Sequence, residues 1–220
     1  NFIWYSLMKQ QLIEIAYLVS AIMFIYGMKR LQSPATARKG NQLAAMGMLV
    51  AIVATLFFRE ILTPVEMLAG VVVGGGIGAY LAKRVEMTGM PELVAAFNGF
   101  GGIASALVAG AEIARFMAPN AAMTGEAQLD AVGAITISLS IFIGMITFTG
   151  SFVAFGKLSG RISGNPVTFP GMRMFTILFM LASIAGMVWM AMESGAFPGI
   201  EDPVVQAAIG IAVLGSLLGV

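Results

Sequence analysis

Seven separated apolar stretches, each about as long as a bilayer crossing, occupy most of this 220-residue chain. They lie near Leu12 to Met28, Gln42 to Phe58, Val65 to Ala82, Pro91 to Ile113, Ala131 to Phe155, Met174 to Met192 and Val204 to Val220. A hydrocarbon core ~30 Å thick takes about 20 apolar helical residues per crossing. At that depth every backbone N–H and C=O must find its partner inside the protein, and these runs lack the alternation of barrel strands. Only 10% of the residues are charged, against about 25% in a soluble domain. The expected fold is all-α: a polytopic transmembrane helical bundle of about seven spans, forming a single transmembrane domain over residues 1–220.

Charge distribution orients the bundle. Lys29, Arg30, Arg38 and Lys39 follow the first span, Lys83 and Arg84 the third, and Lys157, Arg161 and Arg173 the fifth. The opposite side carries Lys9, Arg59 and Arg115 with the acids Glu60, Glu112, Glu126, Asp130, Glu193, Glu201 and Asp202. The excess of Lys and Arg marks the first side as cytoplasmic, which places the N-terminus outside and returns the seventh span to the cytoplasm.

The chain has neither Cys nor His. That excludes His-ligated haem, Cys-ligated clusters and the common zinc sites, because thiolate and imidazole ligands are missing. No lysine lies deep in a span, which argues against a retinal-type Schiff base. Span boundaries carry stop chemistry: SPATARKGN (residues 33–41), the Thr63-Pro64 break, Gly89-Met90-Pro91, and GNPVTFPG (residues 164–171). Pro in a first helical turn is tolerated because its missing N–H would have had no intrahelical partner. Residues 1–7 read as a tag or a processed extension ahead of Met8, and the apolar run reaching Val220 predicts that the natural protein continues.

Three constellations bear on chemistry. Gly74-Gly75-Gly76-Ile77-Gly78-Ala79 after three valines fits G-x-G-x-x-A formally, but a dinucleotide site needs that motif on a strand-to-helix turn. Here it sits within an apolar run, so Gly70, Gly74 and Gly78 read better as a helix face stripped of side chains for close packing. Span four carries Asn98, Gly102, Ser105 and Ala109 at helical spacing, with Asn98 roughly 10 Å into the membrane counting from Pro91. Span five carries Thr136, Ser140, Gly144, Thr147 and Ser151 on one face. An amide at depth serves either as interhelical glue or as a station on a water-filled proton or ion path. Hydroxyls either relay protons through ordered water or bond back to the i−4 carbonyl. Glu92, in the first turn of span four, suits a helix cap as well as a proton entrance. Glu14 and Glu66 are the other acids near spans.

LAKRVEMTGMPELVAAFNGFGGIASALV (Leu81 to Val108) and GMITFTGSFVAFGKLSGRISGNPVTFPG (Gly144 to Gly171), with IAYLVSAIMFIYGMKRL (Ile15 to Leu31), resemble the membrane domain of the beta subunit of proton-translocating NAD(P) transhydrogenase. The resemblance implies coupling of proton movement to hydride transfer from NADH to NADP⁺ in a bacterial inner membrane. It implies partner alpha-type subunits that carry membrane helices and the NAD(H) domain, and a dimer of heteromeric complexes. An NADP-binding domain is expected after residue 220. NADP(H) and NAD(H) would then act in the complete complex, with no cofactor, metal or nucleic acid bound by this chain and no catalytic hydride site on it. Glu92 matches the Glu of the family's MPELVA motif. Asn98 stands where many bacterial members have a histidine proposed to exchange the proton, and Asn cannot titrate in the useful range. The expected proton path comprises Glu92, Asn98, Ser105, Ser140, Thr147 and Ser151, with the protonatable group supplied by a partner helix. The expected packing glycines are Gly70, Gly74, Gly78, Gly102 and Gly144.

Two other classes stay open on the residues alone. An ion or small-solute transporter would move its substrate without nucleotides. A structural anchor for a soluble enzyme would tolerate the loss of every polar residue in spans four and five.

Overall fold

A computed structural model of the chain describes residues 2–59, 63–116, 129–166, 168–193 and 202–220. In chain order the helices are α1 (Phe2–Leu31), α2 (Pro34–Arg59), α3 (Pro64–Arg84), α4 (Met90–Phe116), α5 (Ala131–Leu158), α6 (Met172–Glu193) and α7 (Asp202–Leu218). A single 3₁₀ turn at Met87–Gly89 leads into α4. Among the described residues there is no strand. α1 to α6 each contain a segment long and apolar enough to cross a membrane, and α7 is a shorter apolar helix. The chain is therefore an all-helical, multi-pass membrane protein. The acids Glu60, Glu126 and Glu201 lie outside the described residues.

Helix ends follow local chemistry. Thr63 and Glu66 form a reciprocal cap on α3: the Thr63 N–H and hydroxyl both donate to Glu66 Oε2 at 2.8 Å, and the Glu66 N–H donates to Thr63 Oγ1 at 3.3 Å. This satisfies donors that the first helical turn leaves without partners. Asp130 caps α5 by accepting from the Gly133 N–H at 2.8 Å. At the other end of α5, Gly160 turns the chain with φ +70°, and the Arg161 and Ile162 N–H groups both reach the Gly156 carbonyl. Only glycine adopts that left-handed conformation without a Cβ penalty.

Two compact units divide the chain, Asn1–Lys83 and Arg84–Val220. In the first, α1 and α2 form a tight antiparallel hairpin. A Cβ placed on Gly27 would lie 2.6 Å from the Ala44 nitrogen, and one on Gly47 would lie 2.9 Å from the Ser20 carbonyl oxygen. Ser20 Oγ donates to the Gly47 carbonyl at 2.6 Å, and the Tyr17 and Thr55 hydroxyls pair at 2.9 Å. α3 contributes no buried residue among those described.

In the second unit α5 is the central helix, packed on α4, α6 and α7. Its core gathers Ile137, Ile141 and Phe142 of α5 with Met187 and Met190 of α6 and Ala207, Ala208 and Ile211 of α7. Large apolar side chains elsewhere point outward, among them Leu107, Val108, Ile177, Leu178 and Leu181. Hydrocarbon is as apolar as a leucine side chain, so the outer surface carries bulk while interfaces are set by small residues that let backbones approach. α4 and α5 show this most clearly. A Cβ on Gly102 would lie 2.6 Å from the Gly144 carbonyl oxygen and 2.7 Å from the Phe148 nitrogen, and one on Gly144 would lie 2.6 Å from the Gly102 oxygen.

Gly102→Ala is expected to destabilise the protein by about 1–3 kcal/mol, the usual cost of overpacking. Gly101→Ala, where a Cβ meets nothing within 4 Å, should be neutral or gain up to about 1 kcal/mol from helix propensity. Unfolding of both variants in mixed detergent micelles, followed by circular dichroism, checks the contrast.

Candidate functional site

The small and polar faces of α4 and α5 meet along one antiparallel seam. Asn98 Nδ2 donates to Ser151 Oγ at 2.8 Å. A serine hydroxyl both donates and accepts, so this bond forms with either orientation of the amide. Ser151 is buried while Asn98 is exposed on the chain's own surface. The amide therefore spends one group on Ser151 and presents the rest outward, where a group left unmatched in hydrocarbon would cost several kcal/mol.

Aromatic rings pack beside that bond. The Phe152 ring lies over Gly99, where a Cβ would come within 2.7 Å of it. Phe100 meets Phe152 edge-on with centroids 5.3 Å apart, and Phe148 and Phe155 flank it at 5.0 and 6.3 Å. Edge-to-face pairs of this kind favour one fixed arrangement. Arg161 stacks on Phe155 at 5.3 Å, closing the cluster at the end of α5.

One turn further along α4, Gly102 contacts Gly144 directly, with Thr147 Cβ beside it. Backbone meets backbone here, so no water file runs through the middle of the seam at this level. Beyond it, Ser105 and Ser140 line one groove of about 440 Å³ together with Thr136, Ala109 and Glu112. Thr136 Oγ1 donates to the Val132 carbonyl and Ser140 Oγ to the Thr136 carbonyl, both at 2.8 Å. These two hydroxyls have committed their protons to their own helix, so toward the groove they only accept. Glu92 stands apart, in the first turn of α4, about 9 Å of helical rise from Asn98.

The structure thus brings five of the six expected path residues onto one seam, divided into an Asn98–Ser151 station and a Ser105–Ser140 groove with Thr147 between. Of the expected packing glycines, Gly102 and Gly144 touch each other. Gly70, Gly74 and Gly78 have nothing within 4 Å of a Cβ, so α1 and α2 of the same unit do not fill that face. Sequence reasoning missed Gly27, Gly40, Gly47 and Gly99 as contact points, although Gly40, Ala44 and Gly47 follow helical small-residue spacing. It also stopped the α4 stripe at Ala109, one turn short of Glu112.

This arrangement defines a polytopic helical membrane protein with a polar seam between two close-packed spans. A profile of the NAD(P) transhydrogenase beta subunit family matches residues 13–220. Two curated relatives named NAD(P) transhydrogenase subunit beta, from Rhodospirillum rubrum and from a designated strain of that species, are each 40% identical over 164 residues. The aligned part is 74% of this chain and 35% of each relative. The chain belongs to the NAD(P) transhydrogenase beta subunit family.

A double-mutant cycle on Asn98→Leu and Ser151→Ala should give a coupling of about 0.5–2 kcal/mol, the range for hydrogen bonds between membrane helices. Unfolding of the four proteins in micelles measures it.

Proposed function

We propose that this chain forms the proton-conducting membrane part of an NAD(P) transhydrogenase, which couples proton movement across a bacterial inner membrane to hydride transfer from NADH to NADP⁺. The observation that carries the reading is the Asn98–Ser151 hydrogen bond at membrane depth, on the polar seam of a chain that belongs to the beta subunit family. Polar groups at that depth are expensive and face functional paths or partners. Asn98 cannot carry the proton itself, so its outward-facing amide is the docking point for a helix of an alpha-type subunit that supplies the titrating group. Ser105, Ser140, Thr147 and Ser151 line the path, and Glu92 stands at its cytoplasmic mouth. NADP(H) and NAD(H) act on soluble domains of the complete complex, a dimer of heteromeric units, with no nucleotide on the spans described here.

Proton uptake by proteoliposomes containing the complete complex, followed with a pH-sensitive dye during NADPH-driven reduction of an NAD⁺ analogue, tests this. The wild type should take up protons only when both nucleotides are present, and Asn98→Leu should abolish that uptake. Uptake without nucleotides would instead indicate a transporter, and turnover without proton movement an anchor. Full coupling in Asn98→Leu would remove the seam from the path.

A further inference from the structure

The groove beyond the Gly102–Gly144 contact contains a carboxylate, Glu112. Three acids serve helix ends or a neighbouring side chain: Glu66 caps α3, Asp130 caps α5, and Glu14 accepts from the Gln10 side chain at 3.3 Å. Glu112 instead lines the groove with Ser105, Thr136 and Ser140, and is the one titratable residue among those that line it. It continues the α4 stripe of Asn98, Gly102, Ser105 and Ala109 at the next helical step.

Its level in the membrane suits exchange with water. Glu112 stands four residues before Phe116, the last residue of α4, about 6 Å of helical rise. Arg115 Nη1 lies 3.4 Å from Glu112 Oε1, and both side chains are well exposed. The groove of about 440 Å³ is large enough to admit water, with the Glu112 carboxylate and the Ser105, Thr136 and Ser140 hydroxyls as its polar partners. Across it, α5 presents Thr136, Ile137 and Ser140, none charged, so among the described residues Arg115 on its own helix is the charged group beside the carboxylate. Because Thr136 and Ser140 hold their protons on carbonyls, the α5 wall offers acceptors to whatever donates from the groove.

We propose that Glu112 is the outer-side proton-exchange residue of the α4–α5 seam. Its carboxylate takes a proton from a hydronium of the outer water, releasing water, and the carboxyl group then returns that proton to a water of the groove at the level of Ser105 and Ser140. This assignment rests on the coupled-transhydrogenase reading and extends it, since it adds an outer carboxylate to Glu92 at the cytoplasmic mouth and to the group supplied by the partner helix.

The test uses the complete complex in proteoliposomes and the same dye readout. Glu112→Gln should lower nucleotide-driven proton uptake by about ten-fold or more, as loss of a proton-transfer group does, while Glu112→Asp should retain most of it. A purely structural ion pair with Arg115 would make Arg115→Gln as damaging as Glu112→Gln, whereas a proton-exchange role leaves Arg115→Gln largely coupled. Ala104→Leu, which fills the groove from an exposed position without changing any charge, should cause a loss of similar size and keeps the question decidable if the Glu112 variants fail to assemble. Normal uptake in Glu112→Gln, equal losses in the Gln and Asp variants, or full uptake in Ala104→Leu would each overturn the assignment. Failure of the wild type to couple would instead sink the parent reading, before any variant is compared.

Discussion

The arrangement around the seam depends on the contact between Gly102 and Gly144. Neither residue has a side chain, so two helix backbones meet at a distance that any Cβ would prevent. That approach fixes the register of α4 against α5. With the register set, Asn98 falls opposite Ser151, Phe152 falls on Gly99, and Ser105 shares a groove with Ser140. In lipid there is no water-driven collapse to correct a misaligned pair, and packing and hydrogen bonding alone hold helices together. A one-residue slip would leave the Asn98 amide without its hydroxyl.

Much of the fold is legible in the sequence because the bilayer is a demanding solvent. Long apolar runs leave the helix as the one spanning structure, and Pro34, Pro64 and Pro91 stand in the first turns of α2, α3 and α4, where their chemistry places them. The Thr63–Glu66 cap and the Gly160 turn follow from short-range rules of the same kind. Packing partners are less legible. Spacing reveals that a helix has a small-residue face but carries no information about what covers it. The most conspicuous glycine face, on α3, is therefore left uncovered by α1 and α2 of its own unit, while the sparser Gly27, Gly40 and Gly47 hold a hairpin.

The candidate site divides along the same line. The stripes on α4 and α5 are visible as periodicity, and their juxtaposition follows once two adjacent spans run antiparallel. The state of each hydroxyl is not visible, because the i−4 carbonyl is always within reach and competes with any distant partner. Thr136 and Ser140 bond back to their own helix, whereas Ser151 engages Asn98. Glu112 escaped notice because its charge and its distance from Arg115 are those of an ordinary surface pair, and only the three-dimensional groove sets it beside Ser105.

The Phe152 ring over Gly99 has a consequence for insulation. An energy-coupling membrane must hold its gradient while the machinery idles, and a continuous wet thread across it would discharge that gradient. Beside the Asn98–Ser151 bond, Phe152 packs with Phe100, Phe148 and Phe155, and phenyl rings give a permeating charge nothing to replace its hydration. That aromatic cluster and the side-chain-free contact one turn away act as two dielectric stops in series. On the proposed reading, the resting state of this subunit is an insulator, and conduction is an event that has to be admitted from outside it.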